Sequence, residues 1–221
     1  LQPVLPYFLR SRLAWEGQAE ARAAVEAAFR AHYDRFGSEI AGLLTSKEAR
    51  ERQVGQVLAR LEYENLATAL DLALAARAPF WGSYEALFRY LDGQQAHGQA
   101  IGLCRAVLAA RDGYPAERLA GEVGVDFYLV FERLAVCQLQ LKHYPEAQTA
   151  YQQELEQIAG LTAIAEDTRG RYSATIYHQL GMVAEEQRQW AQAEGYYRQA
   201  LEIDREFNDR YEQAGTHHQL G

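Results

Sequence analysis

The stretch Tyr177-His178-Gln179-Leu180-Gly181 returns as His217-His218-Gln219-Leu220-Gly221, an offset of 40 residues (217 − 177). Between the two copies lie Trp190, Ala193, Tyr197, Ala200 and Leu201, a spacing that suits one helix-turn-helix unit. Self-similarity at such a period marks a stacked repeat, in which each unit buries its apolar face against the next. A helix over about 173–187 puts Tyr177, Leu180, Gly181 and Ala184 on one stripe of the 3.6-residue period. Gly181 costs that helix about 1 kcal/mol relative to alanine, and close approach of a second helix is the compensating gain. Arg188-Gln189-Trp190 makes the turn, and the second helix carries Ala193, Tyr197, Ala200, Leu201 and Ile203, with small residues receiving large ones from its mate.

The layout recurs upstream in degraded form. Phe131, Leu134 and Ala135 precede Tyr177, Leu180 and Gly181 by 46 residues (180 − 134), and Tyr144, Ala147, Tyr151 and Leu155 match Trp190, Ala193, Tyr197 and Leu201. A connection around Gly160 to Gly170 separates these units. Another 47 residues earlier, Tyr84, Leu87 and Phe88 lead to His97, Ala100 and Cys104, and Asp112-Gly113-Tyr114-Pro115 is a turn signal. The expected repeat core is therefore Leu134, Ala135, Tyr144, Ala147, Tyr151, Tyr177, Leu180, Gly181, Ala184, Trp190, Ala193 and Tyr197.

The first 80 residues lack the repeat. Residues 23–36 read as one amphipathic helix through Val25, Phe29, His32, Tyr33 and Phe36. Residues 54–74 read as another through Val57, Leu58, Leu61, Leu66, Leu70 and Leu74, with Gly37 and Gly42 as punctuation between them and Pro79 as the stop. The opening Leu1-Gln2-Pro3-Val4-Leu5-Pro6-Tyr7-Phe8-Leu9 reads as the tail of a preceding domain or a strap against these helices. The domain expectation is an irregular helical junction over 1–80 that follows a missing upstream domain. A solenoid of antiparallel helix pairs follows over 81–221, about three repeats and the start of a fourth.

Hydrophobic residues at 48% and charged ones at 24% make a core-forming balance, and the Ala, Leu, Glu, Gln and Arg content favours helix over strand. A net charge of −8, with lysine only at Lys47 and Lys142, argues against a nucleic-acid surface and steers toward neutral or basic partners. Cys104 and Cys137 sit among apolar helical residues and read as reduced core thiols of a cytoplasmic protein. No stretch has the apolar length of a membrane span. His217 and His218 are adjacent, so on a helix they point about 100° apart and do not chelate one ion. Neither lysine follows a glycine, so a phosphate-binding loop is absent from these residues. No catalytic residues, metal or cofactor are expected.

Leu180, Gly181, Ala184, Trp190, Ala193, Tyr197 and Ala200 together resemble the tetratricopeptide repeat, with Arg205 where that family often has proline. The resemblance covers roughly Tyr84 to Gly221 and implies an all-α, right-handed solenoid whose first helices line a concave groove. One stripe of those helices would then face a protein or peptide partner: Leu129, Glu132, Val136 and Leu139, then Thr175, His178, Met182 and Glu185. Gly82, Glu85, Arg89 and Asp92 continue it. A softer resemblance covers Leu1 to about Ala78. Pro6-Tyr7-Phe8-Leu9-Arg10, Phe29-Arg30-Ala31-His32-Tyr33 and Glu62-Tyr63-Glu64-Asn65-Leu66 look like the junction of bacterial STAND regulators of the NB-ARC type. It implies a sensor or scaffold arm in signal transduction, with oligomerisation through an ATPase absent from this segment. The alternatives left open are the repeat region of a protein with a linked protease or other enzymatic effector, and a standalone assembly adaptor.

Overall fold

The structure, a computed structural model, describes residues 19–206, and those residues form helices and turns without a strand. The opening strap and the second copy of the repeat at 217–221 lie outside the described residues. The chain divides after Ala96 into two compact units.

In the first unit α1 (Ala19–Leu44) packs on both α2 (Ala49–Ala75) and α3 (Trp81–Gly93), and α2 packs on α3. Gly37 and Gly42 do not break α1, which runs through both. The reason at Gly37 is a crossing of backbones: a Cβ there would stand 2.6 Å from the carbonyl carbon of Gly82, and one on Gly82 would strike the Asp34 carbonyl. Two helices meeting at glycine recover by burial what glycine costs each helix in entropy. At the same crossing the Gly82 N–H donates to Asp34 Oδ1 at 2.9 Å. One orphan donor at the start of α3 is thus capped from another helix rather than from its own N-cap, Phe80. Gly82, expected on the groove stripe, is buried in this crossing.

The second unit contains α4 (His97–Ala109), a 3₁₀ turn (Arg111–Gly113), α5 (Ala116–Ala120), α6 (Glu122–Gln140), α7 (Tyr144–Ala159), α8 (Glu166–Glu186) and α9 (Trp190–Glu206). Each long helix packs on its sequence neighbours, α4 on α6, α6 on α7, α7 on α8 and α8 on α9. Gln157 Nε2 donates to the Gly124 carbonyl near one end of the α6–α7 pair, while Gln138 and His143 meet at the other. Rising numbers in one helix therefore face falling numbers in the next, which makes the pair antiparallel. This is the all-helical, repeat-like arrangement that the sequence periodicity predicts. The connection expected around Gly160 to Gly170 is shorter, because Glu166 and Asp167 supply the acidic first turn of α8 and the helix runs on through Gly170.

Four helix ends follow one recipe. Arg77, Gln95, Lys142 and Arg188 have φ of 52°, 55°, 59° and 59°, the left-handed position after a helix end. The N–H of each donates to the carbonyl three residues back, as Lys142 to Leu139 and Arg188 to Glu185 at 2.9 and 2.8 Å. The next N–H donates five back, His143 to Gln138 and Gln189 to Ala184, both at 2.9 Å. That is the Schellman pairing, which satisfies the last carbonyls of a helix and is usually built on glycine. Gln95, Lys142 and Arg188 succeed one another at 47 and 46 residues (142 − 95, 188 − 142), the spacing read from the apolar pattern.

Candidate interaction face

The buried side of α8 and α9 is built around Gly181. Leu180, Gly181, Ala184, Ala193 and Tyr197 are buried, and a Cβ on Gly181 would stand 2.6 Å from Tyr197 Cδ1. In the preceding pair Leu134, Ala135, Ala147 and Tyr151 are buried in the same way. Tyr144 and Tyr177 are half-buried. Trp190 departs from the expectation of a core residue and is 63% exposed. It is the first residue of α9, level with the turn at which α8 ends, so no turn of the preceding helix covers its ring.

With those faces buried, the expected groove stripe is left at least partly accessible. Glu132, Val136 and Thr175 are exposed, and Leu129, Leu139, His178, Met182 and Glu185 are intermediate. The structure brings Leu139, Met182 and Glu185 together, with Lys142, Tyr144 and Glu186, around a cleft of about 500 Å³. Leu129, Glu132, Val136, Thr175 and His178 are not among the residues lining it. Met182 also packs against the Ala184–Ala193–Tyr197 cluster, and the His178 ring lies 5.3 Å from that of Tyr197. These two side chains therefore share their surface between solvent and α9.

The carboxylates at the cleft are held by tyrosines. Tyr197 Oη donates to Glu185 at 2.8 Å, and Tyr144 Oη donates to Glu186 at 3.0 Å across from α7 to α8. Burial, then the bond to Glu185, pushes the Tyr197 hydroxyl well above the usual phenol range, so it stays a donor. Glu185 is half-buried and Glu186 is exposed, and each accepts from a tyrosine. Each is an oriented acceptor at the rim of a cleft floored by Leu139 and Met182.

The residue that sequence reasoning missed is Glu154. It is almost wholly buried on α7, and its carboxyl accepts from Tyr128 while Oε2 and the Tyr151 hydroxyl have no hydrogen-bond partner among the described residues. Burial, with Glu132 nearby, pushes its pKa up to about 9, so the group is neutral at pH 7. The signal was present: Ala147, Ala150, Tyr151, Glu154 and Ile158 form one i, i+3, i+4, i+7 ladder. Gln157 lies beside it, donating to the Gly124 carbonyl and accepting from Arg111 Nε at 2.9 Å.

Among the described residues no group of His, Cys, Asp and Glu is placed to hold a metal ion, and no helix is long and apolar enough to cross a membrane. Cys104 and Cys137 are buried and not joined in a disulfide. Residues 174–207 match the tetratricopeptide repeat family, so one such repeat is present, formed by α8 and α9 within an all-helical chain. No curated protein matches the chain.

Proposed function

We propose that this chain is a protein-interaction scaffold that takes an extended peptide or helix of a partner along the first helices of its pairs. The observation that carries the reading is the cleft shared by Leu139, Met182 and Glu185, three stripe residues from two successive pairs in a chain with a tetratricopeptide repeat. An apolar floor with oriented polar groups at its rim suits side chains spaced along a polypeptide. Glu185 and Glu186 outnumber Lys142 there, and the chain carries −8, so the favoured partner segment is apolar with basic residues. The wider setting is a STAND-type regulator in the cytoplasm, in which the repeats act as sensor or scaffold arm and an ATPase outside this segment drives oligomerisation. The segment itself acts by binding rather than by catalysis.

The test is selection of binding peptides on the purified chain, followed by the variants Val136→Lys and Thr175→Lys. Both positions are exposed on the stripe, so stability should change by about 0.5 kcal/mol or less. Selected peptides should be apolar and basic and should lose about tenfold or more in affinity to either variant. Peptides that bind both variants as well as the parent chain would place the binding face elsewhere.

A further inference from the structure

The outer face of α2 carries an apolar stripe that nothing among the described residues covers. Val54 is 46% exposed, Val57 43% and Leu61 62%, while the opposite face buries Gly55, Ala59 and Leu66. Leu58 completes the i, i+3, i+4, i+7 set, and Arg50, Gln53, Val54, Val57 and Leu58 line a shallow cleft of about 300 Å³. Three half-exposed aliphatic side chains in a row on one helix are a docking surface rather than scattered surface residues.

The charges at the two ends of this stripe identify its occupant. Arg50 lies seven residues before Val57 and Glu64 seven residues after it, each about 10.5 Å along the axis and on nearly the same line of the helix. Both are exposed, and among the described residues neither side chain makes an ion pair. A two-fold axis through Val57 that brings up a second, antiparallel α2 sets Arg50 of each copy beside Glu64 of the other. The aliphatic stripes then face each other between the two reciprocal pairs. A parallel approach instead sets arginine against arginine and glutamate against glutamate. From this self-complementarity we infer that α2 is the contact between two antiparallel copies of this chain. The stripe is small beside the roughly 1,200–2,000 Å² of a stable interface, so the association is weak and concentration-dependent.

Sedimentation velocity on the intact chain from about 1 µM to about 1 mM tests this directly. A monomer–dimer equilibrium should appear. Arg50→Glu should weaken it about tenfold or more, Glu64→Arg should do the same, and the double variant should restore it, because swapping both charges recreates both pairs. Val57→Lys, which sets two cations on the axis, should abolish it while the circular dichroism spectrum is unchanged. A dimer indifferent to these changes overturns the inference. So does a chain that stays monomeric over the whole range. In that case hydroxyl-radical labelling of Val54 and Leu61 reports the actual occupant, protection meaning another segment of this chain and ready labelling a foreign partner.

Discussion

The ring of Tyr197 lies against the backbone of Gly181, occupying the space that any side chain at that position would need. The two residues form a lock between α8 and α9, and the same tyrosine donates its hydroxyl hydrogen to Glu185 at the cleft. Core packing and the orientation of a rim carboxylate are therefore joined through one side chain.

Gly181→Leu should displace the Tyr197 ring and cost about 1–3 kcal/mol, the usual penalty of overpacking a tight helix pair. In a chain of nearest-neighbour contacts the damage stays near the altered pair. Hydrogen exchange should accelerate across α8 and α9 and change little in α1 to α3. Unchanged protection around Tyr177 to Leu201 would show that the glycine is not needed for the approach.

The stability of the second unit should fall as pH rises. The Glu154 pKa in the folded chain, about 9, lies above its ordinary value of 4.5, so the native state holds this proton more tightly than the unfolded chain. The stabilising contribution of the protonated form is whole below pH 4.5 and is lost progressively as pH rises toward 9. Glu154→Gln removes the titration and keeps the shape. It should stabilise the chain at pH 7 by at most about 3 kcal/mol and flatten the pH dependence of urea midpoints between those limits. Equal pH slopes for the two proteins would show that the carboxyl is hydrated and charged.

Lys142→Gly and Arg188→Gly should each raise stability by about 0.5–1 kcal/mol. Both residues hold φ of 59°, where an L side chain is strained and glycine is not, and the relief exceeds the entropy that glycine adds to the unfolded chain. Loss of the cation from a helix C-terminus takes back a few tenths of a kcal/mol. Thermal unfolding of the two variants gives the sign, and destabilisation by both would mean that their charges matter more than their backbone.

The helix pairs, the turn at Arg188-Gln189-Trp190 and the close approach at Gly181 were legible because each leaves a local mark: an apolar period, a turn, a glycine inside a helix. The failures fall where the deciding neighbour is remote in sequence. Periodicity gives Trp190 an inward direction but cannot say that α8 has ended before reaching it. Gly37 reads as a break when taken alone and as a crossing point only once Gly82 is known to lie against it. The stripe at Val54, Val57 and Leu61 reads as core by the same rule that correctly buries Leu66 and Leu70, since a sequence shows which face is apolar and not what covers it. At the candidate face, the acidic and apolar stripe was visible, whereas the tyrosines that orient Glu185 and Glu186 arrive from α9 and α7.

Within the second unit the Schellman turns at Lys142 and Arg188 occupy one edge, and the longer connections at residues 110–121 and 160–165 occupy the other. On the second edge Thr162 and Ala163 are exposed, while their N–H groups both donate to the Ala120 carbonyl and Leu161 beside them is buried. The two edges thus age differently under mutation. A residue inserted beside Lys142 shifts the register of every contact between α6 and α7. A residue inserted near Thr162 lengthens a surface segment and leaves both helix pairs in phase. Such a molecule can change the length of its units along one margin without changing how its helices mesh.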